Sequence, residues 1–265
     1  MKTIRDILVI DDELTVTRAV VKVCSAEGMS VAAADTATEA LRFLEDSKFR
    51  LVLCDIMMNE LDGFQFLEEL DRRGIQTPVV MMTGYSTVEN AVKSLTATGT
   101  VDYIAKPFTA DELLTVVRRS LRCALLLDEA ESAGLPRHNA NNAMSYVPCP
   151  ANYYRLGYVS WVLLEDEGTA RIGVSDLFLK AAEGIREFEL SLPGEDLVQG
   201  IPCAVATSVD GSMHAIICPM DGKILEVNAD AQSNPSLVEK DPYFRGWLYR
   251  ILPPNPENNL QWLSL

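Results

Sequence analysis

The stretch Leu51-Val52-Leu53-Cys54-Asp55-Ile56-Met57-Met58-Asn59-Glu60-Leu61-Asp62-Gly63 decides the fold. Four apolar residues run into a carboxylate, the pattern of a strand buried on both faces of a sheet. Three more apolar runs end in polar residues of complementary chemistry. Ile7-Leu8-Val9-Ile10 ends in Asp11-Asp12, Val79-Val80-Met81-Met82 in Thr83, and Val101-Asp102-Tyr103-Ile104-Ala105 in Lys106-Pro107. Helix-like segments separate these runs, so the pattern predicts repeated β-α units around a parallel sheet. Ligands bind such sheets at the carboxyl ends of the strands. Three carboxylates, a hydroxyl and a lysine are therefore expected to meet at one edge.

That grouping sets the chemistry. Clustered carboxylates repel one another unless a cation is present. Oxygen ligands with water suit a hard cation, usually Mg²⁺. With Mg²⁺ and Lys106 holding phosphoryl oxygens, Asp55 can attack phosphorus and form an acyl phosphate. Thr83 can donate a hydrogen bond to the new phosphoryl group.

The first 125 or so residues resemble the receiver domain of two-component response regulators, an α/β doubly wound, flavodoxin-like fold with five parallel strands. The matching pieces are Asp11-Asp12, the Asp55 to Gly63 segment, Thr83-Gly84, and Tyr103 followed by Lys106-Pro107-Phe108. The resemblance implies phosphorylation of Asp55 by a sensor histidine kinase. It implies Mg²⁺ held by Asp12, Asp55 and the backbone carbonyl of Met57, with Asp11 acting directly or through water. Thr83 and Tyr103 become the switch pair, and Lys106 the phosphate-binding cation on a cis bond to Pro107. Such a domain catalyses only its own phosphoryl transfer and hydrolysis, so the protein is not expected to be an enzyme otherwise. Asn59 stands where the family usually has proline, which is expected to loosen the loop without removing a ligand. Met57 and Tyr85 flank the path of attacking water, so slow dephosphorylation is expected.

The 265 residues suit two domains. The expected boundaries are a receiver over 1–128, a helical extension and linker over 129–150, a second domain over 151–252 and a tail over 253–265. Net charge is −15, and both halves share it: residues 1–128 carry 14 basic against 20 acidic side chains, and residues 129–265 carry 9 against 18. An acidic second half argues against a DNA-binding output, which needs basic residues to neutralise phosphates. Met1-Lys2-Thr3-Ile4 leads into the first strand without a signal-peptide pattern, and no apolar run is long enough to span a bilayer. Six scattered cysteines without CxxC spacing fit a reduced, cytoplasmic protein. His138 and His214 are too few for a typical transition-metal site. Leu113, Leu114, Val116, Val117, Leu121 and Leu125 mark an amphipathic helix running toward Glu131. Gly134-Leu135-Pro136 ends it, and the helix offers a connector or a homodimer contact.

The second half changes period. Tyr158 to Leu164, Phe188 to Leu192, Cys203 to Val209 and Ile224 to Val227 read as short strands, with one helix from Asp176 to Gly184. Asp210-Gly211 and Asp221-Gly222 read as hairpin turns, because both residue types tolerate positive φ. A small, mainly β sandwich follows. Trp161, Gly173-Val174-Ser175-Asp176, Glu189 to Gly194, Cys203 to Val209, Glu226-Val227-Asn228, Asn234 to Val238, and Asp241-Pro242-Tyr243 with Gly246-Trp247-Leu248 follow one another in order. Over roughly residues 153–251 this resembles the H protein of the glycine cleavage system, a lipoyl-domain relative. That family carries lipoate on a lysine at a hairpin tip. Here the position is Asp210 or Gly211, and no lysine lies between Lys180 and Lys223. No lipoate is therefore expected, nor a Ser/His/Asp constellation. The expected role is an output module that binds an unidentified protein. The alternatives are a regulated component of glycine or lipoyl metabolism and a purely structural or dimerising element.

Overall fold

The computed structural model describes residues 3–84, 88–132 and 146–265. Tyr85, His138 and most of the expected linker, including Gly134-Leu135-Pro136, lie outside the described residues. The chain divides into two compact units, Met1–Ala124 and Leu125–Leu265.

The first unit alternates strand and helix: β1 (Thr3–Ile10), α1 (Leu14–Ala26), β2 (Val31–Ala34), α2 (Ala37–Asp46), β3 (Ser47–Asp55), α3 (Gly63–Arg72), β4 (Val79–Thr83), α4 (Val88–Thr96), β5 (Thr100–Ala105) and α5 (Ala110–Ser132). The five strands form one parallel sheet in the order β2-β1-β3-β4-β5. Leu8, Ile10, Val52, Cys54, Phe66 and Met81 are buried in one core cluster against this sheet. That burial explains why the strands read as unbroken apolar runs rather than as alternations. The sheet order reverses direction beside β1 and β3, a switch point of the kind that opens a crevice at the carboxyl ends. Asp11, Asp55 and Thr83 stand at those ends.

Local chemistry starts the helices where the sequence says. The Asp62 carboxylate accepts the Gln65 N–H at 2.8 Å, and the Gln65 side chain accepts the Asp62 N–H at 3.0 Å, so a capping box opens α3. Thr109 and Glu112 exchange the same kind of bonds at the start of α5. Gly63 is required by a close approach, since a Cβ there would sit 2.5 Å from the Asp55 carbonyl oxygen.

The second unit is mainly β: β6 (Tyr154–Leu156), β7 (Ser160–Leu164), β8 (Ala170–Val174), α6 (Asp176–Ala181), β9 (Ile185–Leu190), β10 (Asp196–Leu197), β11 (Pro202–Ser208), β12 (Met213–Ile217), β13 (Gly222–Val227), α7 (Ala229–Ser233), α8 (Pro235–Lys240), β14 (Trp247–Leu252) and α9 (Pro256–Leu260). Two antiparallel sheets, β10-β13-β14-β8-β7-β6 and β12-β11-β9, make the sandwich. The block from Asp241 to Leu248 is packing chemistry. Tyr153, Trp161 and Tyr243 form an edge-packed aromatic cluster, and Trp161 Nε1 donates to the Val174 carbonyl at 3.0 Å. Asn228 caps α7 and donates to the carbonyls of Arg245 and Trp247 at 2.8 and 2.7 Å.

Three expectations need correction. The Asp210-Gly211 turn is a three-residue loop in which only Gly211 takes positive φ, at 89°. The Gly211 N–H donates to the Ser208 carbonyl at 3.0 Å and the Ser208 N–H to the Ser212 carbonyl at 2.9 Å. This is a three-residue hairpin loop, not a two-residue turn. Asp221-Gly222 is no hairpin at all, because β12 and β13 belong to different sheets. Gly222 opens β13, where a Cβ would meet Ile251 Cδ1 at 2.7 Å. Residues 253–265 are folded rather than a bare tail. Asn259 is buried and donates to Gln199 and Asp221 at 3.0 and 3.1 Å, and Ser264 pairs with Arg155.

Candidate phosphoacceptor and metal site

The strand ends bring the expected side chains together. Lys106 Nζ lies 2.6 Å from Asp11 Oδ2 and 3.0 Å from Asp55 Oδ2, with Glu13 at 3.9 Å. Asp11, Asp12 and Asp55 each offer an oxygen within 4.8 Å of the others. Asp11 and Asp55 are buried, whereas Asp12 is partly exposed. Backbone register fixes the constellation: Asp55 pairs with Met82 and Thr83 with Ala105, and the Lys106 N–H donates to the Thr83 carbonyl at 2.6 Å. The Lys106-Pro107 bond is cis.

Burial raises the Asp55 carboxyl above its ordinary value, and the like charge of Asp11 adds to this while Lys106 opposes it. Burial by itself would lower the Lys106 ammonium, but its bonds to Asp11 and Asp55 outweigh that and raise it. One ammonium faces three carboxylates, so negative charge remains. Asp55 Oδ1 is buried and has no partner at full hydrogen-bond geometry among the described residues, although the Met57 N–H lies near enough to the Asp55 carboxylate to oppose its rise. An oxygen-only donor set with an unsatisfied buried oxygen fits a small hard dication. Both Asp11 oxygens are engaged, Oδ1 by the Glu13 N–H at 2.9 Å and Oδ2 by Lys106.

Thr83 is fully buried at the end of β4. Tyr103 is half-buried and packs on the sheet core, and burial pushes its phenol up to about 12. Its neighbour Asp102 forms a buried ion pair with Arg119 of α5 at 2.6 Å and also accepts the Tyr103 N–H at 2.9 Å. Met57 is exposed in the loop after β3. Sequence reasoning missed the role of Asn59. Its side-chain amide donates to Asp12 Oδ2 at 2.7 Å, and its backbone N–H reaches the same oxygen at 3.3 Å. The loop is tied to the Asp12 carboxylate rather than loosened, and an amide in the place of proline was the available sign.

The hairpin between β11 and β12 holds a second polar cluster that the sequence reading did not expect. Ser208 Oγ donates to Asp210 Oδ1 at 2.5 Å, and His214 Nε2 lies 3.2 Å from Ser208 Oγ. Strand pairing brings His214 opposite Ala206, which a reading along the chain cannot show. The order of bonds is carboxylate–serine–imidazole. A relay that activates serine needs the carboxylate on the imidazole instead. Ser208 and His214 are also buried. The Ser208 hydroxyl, with the Ser212 N–H, lowers the Asp210 carboxyl to about 2, so the loop carries a fixed negative charge. Lys180, Lys223 and Lys240 lie on α6, β13 and α8, none of them in this loop.

The fold and the strand-end constellation of the first unit define a receiver. Residues 7–118 match the family model of the response regulator receiver domain, and residues 152–264 match that of the glycine cleavage H-protein. The chain joins these two domains. Regulatory protein AtoC of Escherichia coli K12 is 38% identical over 122 residues, which are 46% of this chain and 26% of that protein. The receiver domain of NtrX from Brucella abortus is 39% identical, covering 44% of this chain and 98% of that one, with a TM-score of 0.42. The H protein from Mycobacterium marinum is 26% identical, covering 41% of this chain and 88% of that one, with a TM-score of 0.38. The chain spans only 26 to 35% of the length of curated relatives such as AtoC and ZraR. Among the described residues no helix is long and apolar enough to cross a membrane.

Proposed function

We propose that this chain is a phosphorylation-dependent response regulator whose output is a lipoate-free H-like module. The observation that carries the first half is Lys106 bridging Asp11 and Asp55, with Asp12 beside them. Asp12, Asp55 and the Met57 carbonyl would hold Mg²⁺, with Asp11 behind them. Bound there, Mg²⁺ would neutralise charge on the phosphoryl oxygens. Ionised Asp55 attacks phosphorus in line, an oxygen–phosphorus bond forms, and the donor's bond to phosphorus breaks with its electron pair leaving on the donor. A histidine kinase is the donor that this chemistry and the receiver's relatives suit. Lys106 then holds a phosphoryl oxygen, and Thr83 donates its hydroxyl proton to another. Tyr103, hydrogen-bonded through its backbone to the Asp102–Arg119 pair, carries the change toward α5.

Dephosphorylation is expected to be slow. Met57 stands two residues past the phosphoacceptor and is exposed. A bulky thioether there obstructs in-line water. The phosphoryl half-life, followed by loss of label after removal of donor, should be minutes to hours, and shorten in Met57→Ala. A half-life of seconds contradicts this.

The second unit acts as a binding module. Its scaffold is kept, while the hairpin offers a carboxylate where a carrier needs an amine. Deleting residues 150–265 should abolish partner recruitment and leave Asp55 phosphorylation intact. Equal recruitment by the receiver alone would refute the module. A cytoplasmic location and the absence of further enzymatic activity belong to the same proposal.

A further inference from the structure

We infer that Asn59 is a positioning residue for divalent-cation binding: it holds Asp12 in place for the metal before the metal arrives. The inference rests on the receiver reading above. Lys106 is shared by Asp11 and Asp55. Among the described side chains no cation reaches Asp12, which is the most exposed of the three carboxylates. Left to itself, an exposed aspartate would turn away from two neighbours of like charge. Asn59 prevents this with two donors on one oxygen. Its amide nitrogen lies 2.7 Å and its backbone nitrogen 3.3 Å from Asp12 Oδ2. Both bonds fall on Oδ2, so Oδ1 is left to face a cation.

The loop is built to present Asn59. Glu60 takes a positive φ of 72°, and the Leu61 N–H closes back on the Asn59 carbonyl at 3.0 Å. This three-residue turn is strained and persists because both sides are fixed. On one side the Ile56 N–H bonds the Met82 carbonyl at 2.9 Å, and on the other the Asp62 capping box starts α3. The Gly63 N–H then returns to the Ile56 carbonyl at 2.9 Å, closing the loop on the strand that carries Asp55. A proline at this position has neither an N–H nor an amide side chain. A residue that orients a ligand from behind acts on metal affinity, commonly by tenfold or more.

The test is calorimetric titration of the full chain with Mg²⁺, comparing wild type with Asn59→Leu, which keeps the volume and removes the side-chain donor, and Asn59→Ala. Both variants should bind Mg²⁺ about tenfold more weakly. Phosphorylation from a small phosphodonor should need correspondingly more Mg²⁺, yet reach within about twofold of the wild-type maximum once Mg²⁺ saturates. That split separates positioning from general damage to the loop, which would lower the maximum. Unchanged Mg²⁺ affinity in both variants overturns the inference while leaving the receiver reading standing. Failure of the wild type itself to bind Mg²⁺ overturns both.

Discussion

Asp55→Asn is expected to abolish phosphorylation and, without metal, to make the receiver more stable at neutral pH. The nucleophile is removed outright, because an amide oxygen carries no charge to direct at phosphorus. The stability effect follows from the raised carboxyl of Asp55, whose largest cause is burial. A carboxyl raised in the fold penalises the folded state once it is ionised. The penalty is absent below the ordinary value of 3.8 and grows as pH rises through the folded value. Removing the charge therefore stabilises at pH 7 and gives no gain in strong acid, while Lys106 keeps its bond to Asp11. Mg²⁺ reverses the ranking. At a hundredfold over its dissociation constant a ligand adds about 2.7 kcal/mol to the state that binds it, and Asp55→Asn should lose most of that. Scanning calorimetry with and without Mg²⁺ checks both signs. A variant less stable than wild type in the absence of metal would show that the Lys106–Asp55 pair outweighs the crowding of carboxylates.

Gly173→Ala is expected to destabilise the second unit selectively. A Cβ at this position would lie 2.3 Å from Trp161 Cζ2 and 2.5 Å from Trp161 Cε2. Trp161 is fully buried and hydrogen-bonded to the Val174 carbonyl, and its ring packs against both Tyr153 and Tyr243. It cannot swing aside, so backbone must move. Overpacking of this kind costs on the order of 3 kcal/mol, or roughly 10 °C in melting temperature for a unit of this size. All three tryptophans, Trp161, Trp247 and Trp262, lie in residues 125–265, so tryptophan fluorescence follows this unit alone. The fluorescence transition should move down while labelling of Asp55 stays unchanged. Parallel loss of labelling would mean that the receiver depends on the H-like unit for its fold.

The receiver was legible because its strands are buried on both faces and end in chemistry. Apolar runs stopping at Asp11, Asp55, Thr83 and Lys106 carry both the topology and the site. The bond from Asn59 to Asp12 was not legible, since it spans two loops and depends on the turn at Glu60. The second unit was harder for a physical reason. β10 is two residues long, and β6, β7, β8 and β12 are three to five, too short for alternation to stand out. Helices α7 and α8 have five and six residues and no periodicity to detect. Gly222 at the start of β13 reads as a turn residue, although it marks a close approach inside a sheet, as Gly173 does within β8. The Ser208–Asp210–His214 cluster required the register of β11 on β12.

The central claim is that the chain takes a phosphoryl group on Asp55 and nothing on its H-like hairpin. Intact-mass measurement of the full chain, coexpressed with a lipoate ligase and then treated with Mg²⁺ and a small phosphodonor, tests both halves at once. The account predicts one phosphoryl increment that base removes, its absence in Asp55→Asn, and no lipoyl increment in either protein. A phosphoryl increment that persists in Asp55→Asn, or a lipoyl increment lost only on mutating a lysine of residues 152–264, would contradict it.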